Sequence, residues 1–92
     1  MEKMTMASVV FAALDARELG AIKIDGFDEA IMGFVVDDAH ESARLVYSFN
    51  TCIATLEKQM SLTDALEHWQ FNVEGSLAGF PDKVRPLILY ID

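Results

Sequence analysis

Apolar residues recur with helical spacing most clearly between Ser61 and Gly79, where Leu62, Leu66, Trp69, Val73 and Leu77 follow one another at steps of four, three, four and four. That spacing draws one stripe on a helix of 3.6 residues per turn and predicts a helix that buries it against a sheet or another helix. Ser61 is placed to cap its start, and Asp64 puts a carboxylate at the positive end of the helix dipole. Gly79 fits a left-handed residue that ends the helix, and Pro81 forbids continuation. Gly75 lies inside the pattern, where it costs about 1 kcal/mol against Ala, so close packing or an early break is expected there.

Upstream, Met6, Val9, Val10, Ala13 and Leu14 form a second helical stripe that ends near Gly20, with Thr5 as its cap. SVVFA within it also suits a strand, because Val-Val-Phe favours β structure. Ala21–Ile24 alternates and could be an edge strand, and Asp25-Gly26 marks a turn. Glu29–Val36, EAIMGFVV, reads as a nearly continuous apolar strand in which Gly33 suggests a bulge or the approach of another backbone. Asp37–Ser42 is a polar loop. Ala43–Tyr47 makes a second strand, antiparallel to the first through that short link. Ser48 or Asn50 then caps a helix through Gln59, with Cys52, Ile53 and Leu56 inward. Pro86–Ile91, PLILYI, closes the chain as a strand with Pro at its first position.

The predicted fold class is α+β, a single domain over residues 1–92. It has a small antiparallel or mixed sheet of three to four strands, with two to three helices packed mainly on one face, in the order α-(β)-β-β-α-α-β. The last strand returns after a two-helix crossover. There is no internal repeat or low-complexity tract.

Ninety-two residues with an apolar fraction of 52% suffice for one core and argue against disorder. No apolar run approaches the length of a membrane span. Glu2 and Asp15 interrupt what would otherwise resemble a short signal peptide, so a mature cytoplasmic start is expected. Cys52 is the only cysteine, which excludes an intrachain disulfide and suits a reducing compartment.

Charge narrows the partners. The net charge is −8, from 15 acidic and 7 basic residues. A surface of that sign repels phosphates and argues against direct binding of DNA or RNA. Asp15–Glu41 holds eight of the acidic residues against Arg17 and Lys23. Asp25, Asp28, Glu29, Asp37, Asp38 and Glu41 are therefore the candidate partner-binding face, suited to an Arg/Lys-rich surface; solubility is the other use of such a face.

Candidate chemistry is thin. His40 has Asp37, Asp38 and Glu41 nearby, yet the run lacks a defined ligand pattern and reads as a solvated loop. His68 beside Glu67 reads as a surface or boundary residue. Cys52 lies on the inward stripe of its helix and reads as a small hydrophobe, not a nucleophile. Paired carboxylates at Asp25, Asp28 and Glu29 could do acid–base work only in a cleft. No phosphate-binding glycine loop or G-x-S-x-G is present, so no enzymatic activity, metal or cofactor is expected. Phe71 falls off the core stripe, as a partner contact or as cover for a second core face; the second is favoured.

DGFDEAIMG (Asp25–Gly33), LVYS with the following CI (Leu45–Ile53), and ALEHWQFNVEGSLAG (Ala65–Gly79) together resemble a group of small uncharacterised phage and prophage proteins. The resemblance spans about Asp25–Ile91 and is most specific in QFNVEGSLAG, with Asn72 at the group's characteristic Asn. The chain departs after Gly79, where FPDKVRPL is longer than the group's link. The resemblance implies a phage-related origin and brings no activity. A buried Asn72 tying the helix to the sheet, with close packing at Gly75, would account for these two residues.

The expected function is a non-enzymatic acidic protein that binds a host protein by a basic surface, for example an inhibitor of a host defence complex in the style of anti-CRISPR proteins. The alternative is a homo-oligomeric assembly module, such as a homodimer, that uses an apolar helix face.

Overall fold

The computed structural model describes residues 5–36 and 42–90. It is an α+β fold built on a three-stranded mixed sheet, with strand order β1-β2-β3. Helix α1 (Met6–Ala16) comes first. An extended run and a short 3-10 turn (Asp28–Ala30) lead into β1 (Ile31–Val36). β2 (Ala43–Ser48) pairs antiparallel with β1, α2 (Phe49–Glu57) follows at once, and β3 (Leu87–Leu89) returns parallel to β2. Between α2 and β3 lies one composite helix: α3 (Leu62–His68), a π-helical segment (Trp69–Glu74) and α4 (Gly75–Leu77).

The helices begin where local chemistry directs. Thr5, Ser48 and Ser61 each accept a backbone N–H three residues on, from Ser8, Thr51 and Asp64, satisfying a donor that the first turn leaves free. The first segment is thus a helix and not a strand, and α1 buries Ala7, Val10 and Leu14. Its face is rotated from the expected one, because Met6 and Val9 stay exposed at 54% and 46%. Ala21–Ile24 forms no strand; it is an extended crossing whose Gly20 carbonyl accepts from Ala43 N and whose Ile24 N–H donates to the Tyr47 hydroxyl.

In the sheet, Ile31, Phe34, Leu45, Tyr47 and Ile88 share the inner face, with Tyr47 opposite Ile31 on one side and Ile88 on the other. Leu45, Tyr47 and Trp69 are almost wholly buried, and a large apolar side chain so placed contributes roughly 1.5–3 kcal/mol. The register slips between Ile31 and Gly33, a bulge at Met32. The expected bulge is present; the alternative, a backbone pressed on Gly33, is not, since a Cβ there would meet nothing within 4 Å.

The composite helix departs most from its expected form. Ala65, Trp69, Val73 and Leu77 are buried, four residues apart each time, whereas Leu62 and Leu66 are 53% and 42% exposed. In a regular α-helix, residues four apart drift by about 40° per step, so such a stripe would wind away from its partner. The wider turns of the π segment reverse the drift and keep the four side chains in line. The stripe packs on α2 and on Phe27, whose ring meets Trp69 edge-on at 5.6 Å, with Phe49 on another side at 5.8 Å.

Two glycine expectations fail here. Nothing lies closer than 3.9 Å to a Cβ at Gly75, so close packing does not explain it, although the helix does change there from π to α form, and Gly79 is not left-handed. The final carbonyls are instead satisfied by Arg85, whose Nε donates to Leu77 O at 3.0 Å and whose guanidinium donates to Phe80 O at 2.7 Å. The polar loop from Asp37 to Glu41, and Ile91 at the end of the expected last strand, lie outside the described residues. Among the described residues, no helix is long and apolar enough to cross a membrane.

Candidate partner-binding corner and its cleft

The acidic residues before β1 are gathered by a tight turn. Gly26 adopts φ 89°, which an L side chain resists, and the 3-10 turn follows directly. Asp25, Asp28 and Glu29 are thereby brought to one corner. Lys23 Nζ approaches Asp28 Oδ2 at 3.2 Å and Lys58 Nζ approaches Glu29 Oε2 at 3.5 Å. Both pairs are substantially solvent-exposed, and such pairs contribute about 0–1 kcal/mol. Asp25 is exposed and makes no ion pair with a described residue. Asp37, Asp38 and Glu41, the rest of the candidate face, lie outside the described residues, as does His40.

Asp25 also borders a cleft of about 350 Å³. One wall is the extended run Ile22–Phe27; the other is the composite helix, which presents His68, Asn72 and Ser76. These three polar residues are also four apart, and the π segment that aligns the buried stripe aligns them beside it. The Asn72 side-chain amide donates to His68 Nδ1 at 3.2 Å, which assigns the neutral ring's proton to Nε2. Ser76 donates its hydroxyl proton to Asn72 O at 2.8 Å. Phe27, Val73 and Leu77 are buried beneath.

Asn72 is therefore exposed and faces this cleft; it is not the buried tie to the sheet that its place in the motif suggested. His68 is half-buried, the boundary position expected of it, but its partnership with Asn72 was not anticipated. Phe71, expected to cover a second core face, is 71% exposed.

Burial governs the other reactive groups. Cys52 is fully buried, and burial pushes its thiol up to about 12, so at neutral pH it keeps its proton and packs as a small apolar side chain. Burial likewise pushes the Tyr47 phenol up to about 12, against the opposing effect of its hydrogen bond from Ile24 N. Tyr90 is raised by burial and then by its hydrogen bond to Glu74. Among the described residues, no group of three His, Cys, Asp or Glu side chains is arranged to hold a metal ion.

No protein-family model, curated protein or solved structure matches this chain.

Proposed function

We propose that this chain is a non-enzymatic protein-binding domain, of phage or prophage type, that sets its acidic corner against a basic surface of a host protein. The nucleic-acid-binding groove of a defence complex, blocked in the manner of an anti-CRISPR inhibitor, is the concrete form of this reading. One observation carries it: Asp25, Asp28 and Glu29 stand together at one turn, Asp25 with no ion pair to a described residue and the other two paired with exposed lysines, although Asp28 keeps its second oxygen buried. Weak surface pairs of that kind exchange readily for the cations of a partner, and a net charge of −8 favours such an encounter over long range.

The test is capture from host cells, followed by competition. The unaltered protein should retain a nucleic-acid-binding complex, displace its nucleic acid, and release the complex in high salt. Asp25→Lys with Asp28→Lys and Glu29→Lys should lose it. Equal retention by the triple variant would remove the acidic corner from the mechanism.

A second reading, self-association as an assembly module, is favoured by the outer face of the sheet. Met32 and Val35 are 42% and 46% exposed there, beside Val46 and Leu87, and a Cβ at Gly33 would meet no described residue within 4 Å. The expected helix face, with Leu62, Leu66 and Phe71 exposed, is the other apolar surface such an interface could use. A dimer resting on the sheet face would persist in high salt under light scattering and dissociate in Val35→Lys.

A further inference from the structure

We propose that the cleft between Ile22–Phe27 and the composite helix is a receptor for a single arginine side chain of the basic partner. This rests on the acidic-corner reading and identifies the chemistry that corner engages.

The cleft carries acceptors at Ser76, Asn72 and Asp25, beside donors at Lys23, at His68 Nε2 and at the second amide proton of Asn72. Ser76 has one hydroxyl proton and gives it to Asn72 O, so its oxygen can only accept from a ligand. Asn72 turns its amide nitrogen to His68 Nδ1, and its Oδ1 has no hydrogen-bond partner among the described residues. Asp25 adds a carboxylate with no partner among the described residues. Lys23 lines the same cleft, engaged in the exposed pair with Asp28. Its ammonium is held by Asp28 at 3.2 Å and lies 5.6 Å from the centre of the Phe11 ring.

Beneath these acceptors the lining is apolar and aromatic, with Phe27, Val73 and Leu77 buried and the more exposed Phe80 also bordering it. A guanidinium matches this arrangement. It carries five donors and no acceptor, its plane stacks on aromatic rings, and its stem is apolar. A cleft of about 350 Å³ is near the lower end for ligand pockets, roughly 300–1,000 Å³, which suits one side chain. An anionic ligand would meet the Asp25 carboxylate and the field of a chain with net charge −8.

The experiment needs no partner. The isotope-labelled full chain is titrated with N-acetyl-arginine methylamide, and separately with the corresponding glutamate compound, while amide and side-chain resonances are followed. The arginine compound should give saturable shifts at the Asn72 side-chain amide and at Phe27, Ser76 and Leu77. Asp25→Asn should weaken the binding by roughly two- to fivefold, as expected for one exposed charge contact. Asn72→Ala should weaken it as well, which guards against an effect of Asp25 on the turn alone. The inference is overturned if there is no saturable shift, if glutamate gives equal shifts, or if Asp25→Asn and Asn72→Ala bind as well as the unaltered chain. Arginine binding without capture of any basic partner would keep the cleft and remove the acidic-corner reading. Capture that is lost in the triple lysine variant but untouched in both cleft variants would do the reverse.

Discussion

Glu74 Oε1 accepts the indole N–H of Trp69 at 2.9 Å, five residues earlier in the same helix. Five is the repeat of a π turn, and Trp69–Glu74 is the π segment, so the bond spans it from end to end. The same oxygen accepts the Tyr90 hydroxyl at 3.0 Å, and the Tyr90 ring lies 4.7 Å from Phe49, which itself meets Trp69. One carboxylate thus ties the irregular turn to the chain following β3. Trp69 is only 2% exposed, and its N–H has no easy route to water. Glu74→Ala should cost about 1–3 kcal/mol in urea unfolding followed by Trp fluorescence, and Glu74→Gln, which keeps a carbonyl oxygen, about half as much or less. Equal stability of Glu74→Ala and the unaltered chain would mean that the π turn stands without this bond.

Alkaline pH should unfold the protein through two buried groups. Cys52 and Tyr47 are both raised to about 12, from ordinary values of 9.0 and 10.0. Each is an acid that the folded state keeps protonated, so above its unfolded value the unfolded chain binds fewer protons than the native one. Stability then falls as pH rises. The loss begins near pH 9 with Cys52, is joined near pH 10 by Tyr47, and by pH 12 amounts to something on the order of 5 kcal/mol. Cys52→Ala should move the onset up to about pH 10. Stability that stays level to pH 11 in both proteins would contradict this account.

Glu18 ends α1 in the left-handed region, at φ 57°, where Gly is usual. The helix ends in a Schellman pair of hydrogen bonds, in which Leu19 N donates to Leu14 O and Glu18 N to Asp15 O. A Cβ in that conformation costs about 1–2 kcal/mol, and a carboxylate at the negative end of a helix adds a little more. Glu18→Gly should therefore stabilise the protein, by about 0.5–1 kcal/mol after the extra freedom of the unfolded chain is offset. A lower midpoint of thermal unfolding in the variant would be the contrary result.

Arg85 does what a glycine cap was expected to do. Besides its bonds to the carbonyls of Leu77 and Phe80, it pairs with Asp82 at 3.0 Å, and its own carbonyl accepts from Arg44 Nε at 2.7 Å. The loop after Gly79 is thus folded around one residue, whose side chain holds the helix end and whose backbone carbonyl meets β2. Arg85→Lys keeps the charge but loses the planar fork, so it should cost nearly as much as Arg85→Ala, about 1–3 kcal/mol in chemical denaturation. Full rescue by Lys would reduce the role of Arg85 to its charge.

Caps and strand ends were legible in the sequence because they are local. Thr5, Ser48 and Ser61 each act on a backbone group three residues away, and β3 begins at Leu87, one residue after the Pro86 expected to open it. Helix faces were less legible. Met6 and Val9 look like core residues, but α1 has Ala7, Val10 and Leu14 as an alternative face of similar spacing, and only the packed sheet decides between them. The cleft was hidden for a further reason. It needs Asp25 and Asn72, 47 positions apart in the chain, to border one space, and no local pattern encodes that meeting. Asn72 stood out in the motif, yet its exposed place beside His68 follows from a π turn that propensities do not announce.

That turn supplies the sharpest structural test. If the π segment is one residue more than a regular helix needs, removing an exposed residue from it should leave the flanks where they are. Phe71 is the natural choice, being 71% exposed. Its deletion changes the spacing of the buried Ala65, Trp69, Val73 and Leu77 from steps of four, four and four to four, three and four. A regular α-helix holds the new spacing on one face without drift. The deleted protein should therefore unfold cooperatively and within about 1–2 kcal/mol of the original, since few buried contacts are lost. The polar row is affected differently: His68 and Asn72 come to stand three apart, still neighbours on a helix surface but in a new direction. Binding of the blocked arginine should fall while the fold remains. Collapse of the fold on deletion would mean that the π turn is required by the core, and unchanged arginine binding would mean that the alignment of His68, Asn72 and Ser76 is immaterial to the cleft.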